Sequence, residues 1–188
     1  MSLLMKYAAA ALVALAQSGV LGYIIESRAQ VLRNGQEIVL KTQPVDPRDL
    51  MRGDYVTLGY DISNIDVKQI TGTAQLAQTI SPVYVAMKKS FDIWALSRAS
   101  WQPITDKSAE EVVLKGQSDS YFYPDSSTSI RLYYGIEQFY VPQGEGRVIE
   151  DGQREQAVDV VVAVNDAGVA QLKSLRLDGK TLYDEPLY

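Results

Sequence analysis

The chain has 188 residues, 46% of them hydrophobic and 22% charged, with a formal net charge of −5. That is the profile of a folded globular chain, and its sign repels nucleic acid phosphates, so no nucleic acid partner is expected. It contains no cysteine and no histidine, which excludes disulfides, thiol catalysis, cysteine-zinc sites and every triad built on histidine.

Residues 7–25 carry no charge. Nineteen helical residues rise about 28 Å, close to the thickness of a bilayer's hydrocarbon core. Lys6 precedes the run, Glu26 and Arg28 follow it, and Tyr7 and Tyr23 stand near its ends, where amphipathic rings favour the membrane interface. A cleaved leader is the alternative, with Ala14-Leu15-Ala16 as its small-residue site. The apolar stretch continues well beyond that site, which favours an uncleaved anchor. Basic residues on the two sides (Lys6 against Arg28 and Arg33) are too evenly balanced to set the orientation. Gln17, Ser18, Gly19 and Gly22 give the span small and hydrogen-bonding positions suited to packing on another helix. Beyond residue 25 the chain carries a net charge of −6.

The helix is predicted to run on to Asn34-Gly35, a natural stop, so that residues 1–34 form anchor and stalk and 35–188 one β-rich domain. Alternation places strands at 36–42 and 54–62, separated by a turn punctuated by Pro44 and Pro47. A hairpin is read at 82–88 and 91–99, turning at Lys88–Ser90. Further strands are expected at 111–115 and, as one long aromatic element, at 129–140. A short helix is read at 145–155, weakened by Gly152. The β-branched run 158–164 reads as a buried strand, 169–177 pairs back after a turn at 165–168, and Asp178-Gly179 marks a tight hairpin into 180–183. Residues 64–80 read equally well as strand, loop or short helix. No internal repeat is evident. The fold class is therefore mostly β and antiparallel, possibly α+β with one short helix, behind an N-terminal transmembrane helix.

The segment 45–60 holds the densest pattern. Asp46 can cap a turn begun by Pro47; Arg48, Asp49 and Arg52 add charge; and Gly53 suits a close approach or positive φ. In the strand that follows, Val56, Leu58 and Tyr60 share one face and Tyr55 and Thr57 the other. Gly53-Asp54-Tyr55-x-x-Leu58-x-Tyr60 resembles the signature of the GDYXXLXY family of membrane-anchored bacterial proteins. The segment from Tyr134 to Glu150 resembles that family's second recurrent block. The resemblance implies a cytoplasmic N-terminus, a domain on the periplasmic side of the inner membrane, and a polytopic membrane protein as partner; it implies no activity.

Each constellation has a structural and a functional reading. Asp46, Arg48, Asp49, Arg52, Gly53, Asp54, Tyr55 and Tyr60 can form a stiff corner or a binding surface, with Tyr134 and Glu137 as candidates from the second block. Glu137 among aromatics calls for a cationic partner, and Arg131, Arg48 or Arg52 could supply it. The Pro47, Leu50, Gly53, Asp54, Val56 cadence resembles signal-peptidase-like serine proteases but lacks the serine before the proline. Gly144-Glu145-Gly146 lacks the context of a nucleotide loop. Trp94 and Trp101 are candidate aromatic platforms. No catalytic residue, metal site or cofactor is assigned, although a hydrolase using Asp46, Asp54 or Glu137 stays open. The expected role is an accessory or interaction protein at the membrane, the alternative a module binding envelope glycan or peptide.

Overall fold

The computed structural model describes residues 3–44, 55–73, 81–118, 128–142 and 145–186. The expected turn at 45–54 lies outside these, and with it Asp46, Arg48, Asp49, Arg52, Gly53 and Asp54.

Helix α1 (Leu3–Asn34) is one continuous element of 32 residues, about 48 Å long. No proline interrupts it, and its apolar window has a mean hydropathy of 1.8 with none of it buried against the domain. It is long and apolar enough to cross a membrane. Its last turns behave differently. Ala29, Val31 and Leu32 are buried, where α1 packs on the outer face of a sheet. Arg33 reaches back two turns to the carboxylate of Glu26, Nη2 to Oε2 at 3.0 Å. The stop at Gly35 is steric. A Cβ there would lie 2.5 Å from the Val31 carbonyl oxygen and 2.9 Å from the backbone nitrogen of Val164, so only glycine lets the helix end against that strand.

Strands β1 (Gln36–Gln43), β2 (Tyr55–Thr57), β3 (Gly59–Tyr60), β4 (Asn64–Asp66) and β5 (Ile70–Thr71) follow. Then come β6 (Pro82–Ser90), β7 (Ile93–Ser100), β8 (Glu111–Ser118), β9 (Ser129–Tyr133) and β10 (Gln138–Tyr140). Helix α2 (Gly146–Arg154) leads to β11 (Val158–Val164), β12 (Ala170–Leu177) and β13 (Lys180–Asp184). A five-stranded sheet has the order β13-β12-β11-β1-β3, a six-stranded sheet the order β4-β9-β8-β6-β7-β5, and β10 pairs β2. All pairings are antiparallel except β5 with β7. The fold is mostly β, as the alternation predicted.

One apolar core joins the sheets. Ile38 and Leu40 of β1 and Val158, Val160, Val162 and Val164 of β11 meet Val83, Val85 and Met87 of β6 and Val112 and Leu114 of β8. The alternate residues Val161 and Ala163 are also buried but outside that core. They point to the other face of the sheet, on which α1 packs. This is why β11 reads as an unbroken apolar run: both its faces are covered.

Four details depart from the sequence reading. The hairpin turns at Phe91-Asp92, since Ser90 still pairs with Ile93. The expected strand 54–62 divides into β2, β3 and a 3-10 turn over Asp61–Ser63. The expected strand 129–140 is two strands separated by a turn at 134–137. Trp101 is a core residue at 8% exposure and Trp94 is half-buried against the core, so Trp101 forms no exposed platform. Gly152 belongs inside α2, because a Cβ there would meet Leu177 at 2.5 Å. The Asp178-Gly179 turn has both residues at positive φ, 51° and 73°, as a two-residue hairpin requires.

Candidate functional site

The two motif-bearing segments meet. β2 pairs with β10 in the register Thr57 with Gln138, Val56 with Phe139 and Tyr55 with Tyr140. The Leu58 amide then donates to the Glu137 carbonyl at 2.8 Å. Past Leu58 the chain changes partner: β3 pairs with β1 through Gly59 and Tyr60. A single short extended segment thus joins β10 to the edge of the five-stranded sheet. Gln153 of α2, itself buried, covers the junction by donating from Nε2 to the Thr57 carbonyl.

Inside this seam two tyrosines exchange hydrogen bonds. The Tyr60 hydroxyl donates to the carbonyl of Ile136, and the Tyr134 hydroxyl donates to the carbonyl of Ile62. Each tyrosine therefore bonds the residue two positions beyond the other. The sequence carries the matching signal twice, as Leu58-x-Tyr60-x-Ile62 and Leu132-x-Tyr134-x-Ile136, and all six side chains are buried. The string is too short to register as a repeat, and only the reciprocal contacts give it meaning. Room for the Tyr134 ring comes from Gly116 of β8, where a Cβ would stand 2.9 Å from the ring.

Glu137 closes the turn between β9 and β10. Its carboxylate accepts the Tyr134 amide through Oε1 at 2.5 Å and the Gly135 amide through Oε2 at 2.9 Å. Gly135 has φ +79°, a conformation that favours glycine. These bonds split the expected long strand: amides that would have continued a ladder are turned onto a side chain. Among the described residues the partners of Glu137 are these two backbone amides and not Arg131; Arg48 and Arg52 lie outside the described residues.

Burial first, and the negative charge of Glu137 second, raise the Tyr60 and Tyr134 hydroxyls well above the ordinary tyrosine range. Both stay protonated donors at neutral pH. Of the two readings left open for them, a structural corner or a binding surface, their burial at 3% and 7% exposure places them beneath any surface. Tyr55 is half-buried, and its ring lies 6.0 Å from that of Tyr140, which is 73% exposed. Of the ten candidate residues, Tyr55, Tyr60, Tyr134 and Glu137 come together here, and the other six fall in 45–54.

Above the seam lies an open cleft of about 550 Å³. Arg131, Asn64, Asp61, Gln43, Thr57 and Glu137 contribute to its wall, with Gln43 Nε2 donating to Asp61 Oδ1. Arg131 and Asp61 are exposed and offer both signs of charge. The arrangement is suited to holding a polar partner. The Ser63 Oγ accepts the Tyr60 amide, and the Tyr60 and Tyr134 hydroxyls donate to backbone carbonyls. Among the described residues no group of three or more acidic side chains could hold a metal ion. Gln43, Ile62, Gly116, Ile136 and Gln153 were not singled out from sequence; apart from the doubled string, nothing local marks them.

The family model described as GDYXXLXY protein matches residues 17–175, most of the chain. No curated protein and no solved structure matches.

Proposed function

The chain belongs to the GDYXXLXY protein family, and from that premise we propose that it is a single-span interaction subunit, anchored in the bacterial inner membrane with its β domain on the periplasmic side, that works beside a polytopic membrane protein. One observation carries the reading. Through Arg28 every residue of α1 with a described side chain is exposed, yet the same helix docks on the domain through Ala29, Val31 and Leu32. An apolar helix with no partner of its own among the described residues is free to pack on other helices. Its unbroken run into the sheet holds the domain at a fixed angle to that contact. A Cβ at Gly19 or Gly22 would meet nothing within 4 Å, so the face they share stands open to a neighbour, and small residues permit close helix packing.

The test uses the full chain in its native membrane. Gly19 and Gly22 are replaced by Leu, and recovery of co-purifying membrane proteins is compared with the parent. Loss of a discrete partner is the expected outcome; equal recovery removes the span from the interface. A photocrosslinker at Arg131 or Tyr140 asks whether the seam also faces that partner. The cleft favours a second reading, a module binding a polar glycan or peptide. Thermal shift with envelope glycan fragments separates the two, because stabilisation there without any protein adduct selects the second.

A further inference from the structure

Strand β8 lies inside the six-stranded sheet, yet part of one edge has no strand beside it. β6 pairs with it from Glu111 to Gln117, whereas β9 pairs only with Gln117 and Ser118. The turn at 134–137 is the cause. Continued at the same register, Gly135, Glu137 and Phe139 would have faced Lys115, Val113 and Glu111. Instead the Glu137 carboxylate takes the Tyr134 and Gly135 amides, and the chain leaves to pair with β2. The β11–β12 turn fills one position of the gap, where the Lys115 amide donates to the Gly168 carbonyl at 2.9 Å. A Cβ on Gly168 would lie 3.0 Å from that amide nitrogen and 3.1 Å from the Val113 carbonyl oxygen, so the turn is seated on the edge as far as that carbonyl.

The direction of the remaining groups follows. Lys115 turns its amide away from β6, and Pro82, the partner of Gln117, has no N–H to give. The odd-numbered residues of β8 therefore point their backbone groups away from β6, and the even-numbered ones bond to it. That leaves the Val113 amide and the Glu111 carbonyl, neither of which has a partner among the described residues. One residue of an added parallel strand satisfies both, donating to the carbonyl and accepting from the amide.

These groups border a cleft of about 400 Å³. It touches both Val112, whose side chain faces the core, and Val113, whose side chain faces the other way, so it lies along the edge of the strand. Gln30 and Asn34 of α1, with Gln36 and Asn165, form its other walls. Their side-chain amides carry donors and acceptors that match peptide groups. Lys107 and Asp166, also at the cleft, pair with each other at 3.6 Å and leave no net charge to select an ion. Ser27 of α1 lines it too, two residues, roughly 3 Å of helix rise, beyond the uncharged run.

We infer that this edge takes an extended segment of the membrane partner as an added strand, parallel to β8 at Glu111 and Val113 and walled by the last turns of α1. The inference rests on the reading that the chain works beside a polytopic membrane protein. A free strand edge recognises polypeptide backbone. A partner packed on the span stands next to the cleft, because α1 carries the span and forms the wall.

The test is amide hydrogen exchange of the full chain, resolved to single residues, in native membranes and after purification in detergent micelles. In micelles the Val113 amide is expected to exchange freely. In native membranes it is expected to slow by at least about tenfold, the weight of one hydrogen bond in a contact closed to water. Val112 and Leu114, bonded to β6, are expected to be slow in both. Val113→Pro deletes only the outward N–H and is expected to cut recovery of the partner by a similar factor; if that variant does not fold, exchange in the parent decides. Free exchange at Val113 in membranes that yield the partner overturns the inference. Slow exchange in micelles at every protein concentration shows the edge to be closed, and overturns it too. Slowing in micelles that grows with protein concentration gives the edge to a second copy, and slowing by added envelope glycan fragments gives it to a sugar; either overturns the assignment to the partner. If the parent recovers no discrete membrane protein, the interaction-subunit reading itself fails. Full recovery by Val113→Pro, with loss on replacing Gly19 and Gly22 by Leu, overturns this inference alone.

Discussion

Removing one hydroxyl from the seam tests whether the tyrosine exchange holds the two motif segments together. Tyr60→Phe keeps the ring and deletes only the bond to the Ile136 carbonyl; Tyr134→Phe deletes the bond to the Ile62 carbonyl. Both donors sit in surroundings closed to water, with Ile136 at 0% and Ile62 at 3% exposure. Solvent therefore cannot replace the lost partner, and a buried acceptor left without its donor costs about 1–3 kcal/mol. For a domain of about 150 residues the melting temperature moves roughly 2–4 °C per kcal/mol, so each variant is expected to lose roughly 2–12 °C. The two bonds close one junction, so loosening either weakens the other, and the double variant should cost less than the sum. The assay is guanidinium unfolding of the full chain in detergent micelles, followed by fluorescence of the buried Trp101. Single variants within about 0.3 kcal/mol of the parent would refute the reasoning, and strict additivity would refute the coupling.

The same tyrosines set an alkaline limit. Their folded values lie above the unfolded value of about 10, so their contribution is fully present below pH 10 and is lost as the pH rises toward the folded values. At about 1.4 kcal/mol per pH unit for each, stability should fall by about 3 kcal/mol between pH 9 and pH 11; the double phenylalanine variant should show a shallower fall in the same unfolding series. Glu137→Gln keeps one acceptor oxygen for two amides and removes the charge, and is expected to cost about 1–3 kcal/mol; an unchanged denaturation midpoint would mean the turn at 134–137 forms without it. Gly35→Ala places a methyl between the Val31 carbonyl and the Val164 backbone. It should undock the last turns of α1, read as faster proteolysis at 27–36 with the melting of the sheets little changed. Cleavage at the parent's rate would show that the helix end is not set by this contact.

Local chemistry determined much of this protein. An uncharged run of nineteen residues gives a helix long and apolar enough to cross a membrane, a β-branched run covered on both faces reads as β11, and Asp178-Gly179 turns because its backbone can take positive φ. The alternation of 55–60 was legible too, with Val56, Leu58 and Tyr60 sharing one face. What alternation cannot supply is the element lying against that face. Tyr60 and Tyr134 read equally well as surface aromatics or core, and the choice was made by carbonyls more than seventy residues away. The long strand at 129–140 was divided by Glu137 taking amides that a neighbouring strand would otherwise have used, a competition invisible to any periodicity. The hairpin turn was misplaced because Phe91 is a poor turn residue by propensity, and a charged tripeptide nearby looked better. Sequence alone thus marked a helix long and apolar enough to cross a membrane, the β class and the family, since these depend on runs of hydrophobicity and on short strings. Tertiary structure alone decided that the two motifs form one seam, because hydrogen bonds between distant segments exist only once the sheets have brought them within 3 Å.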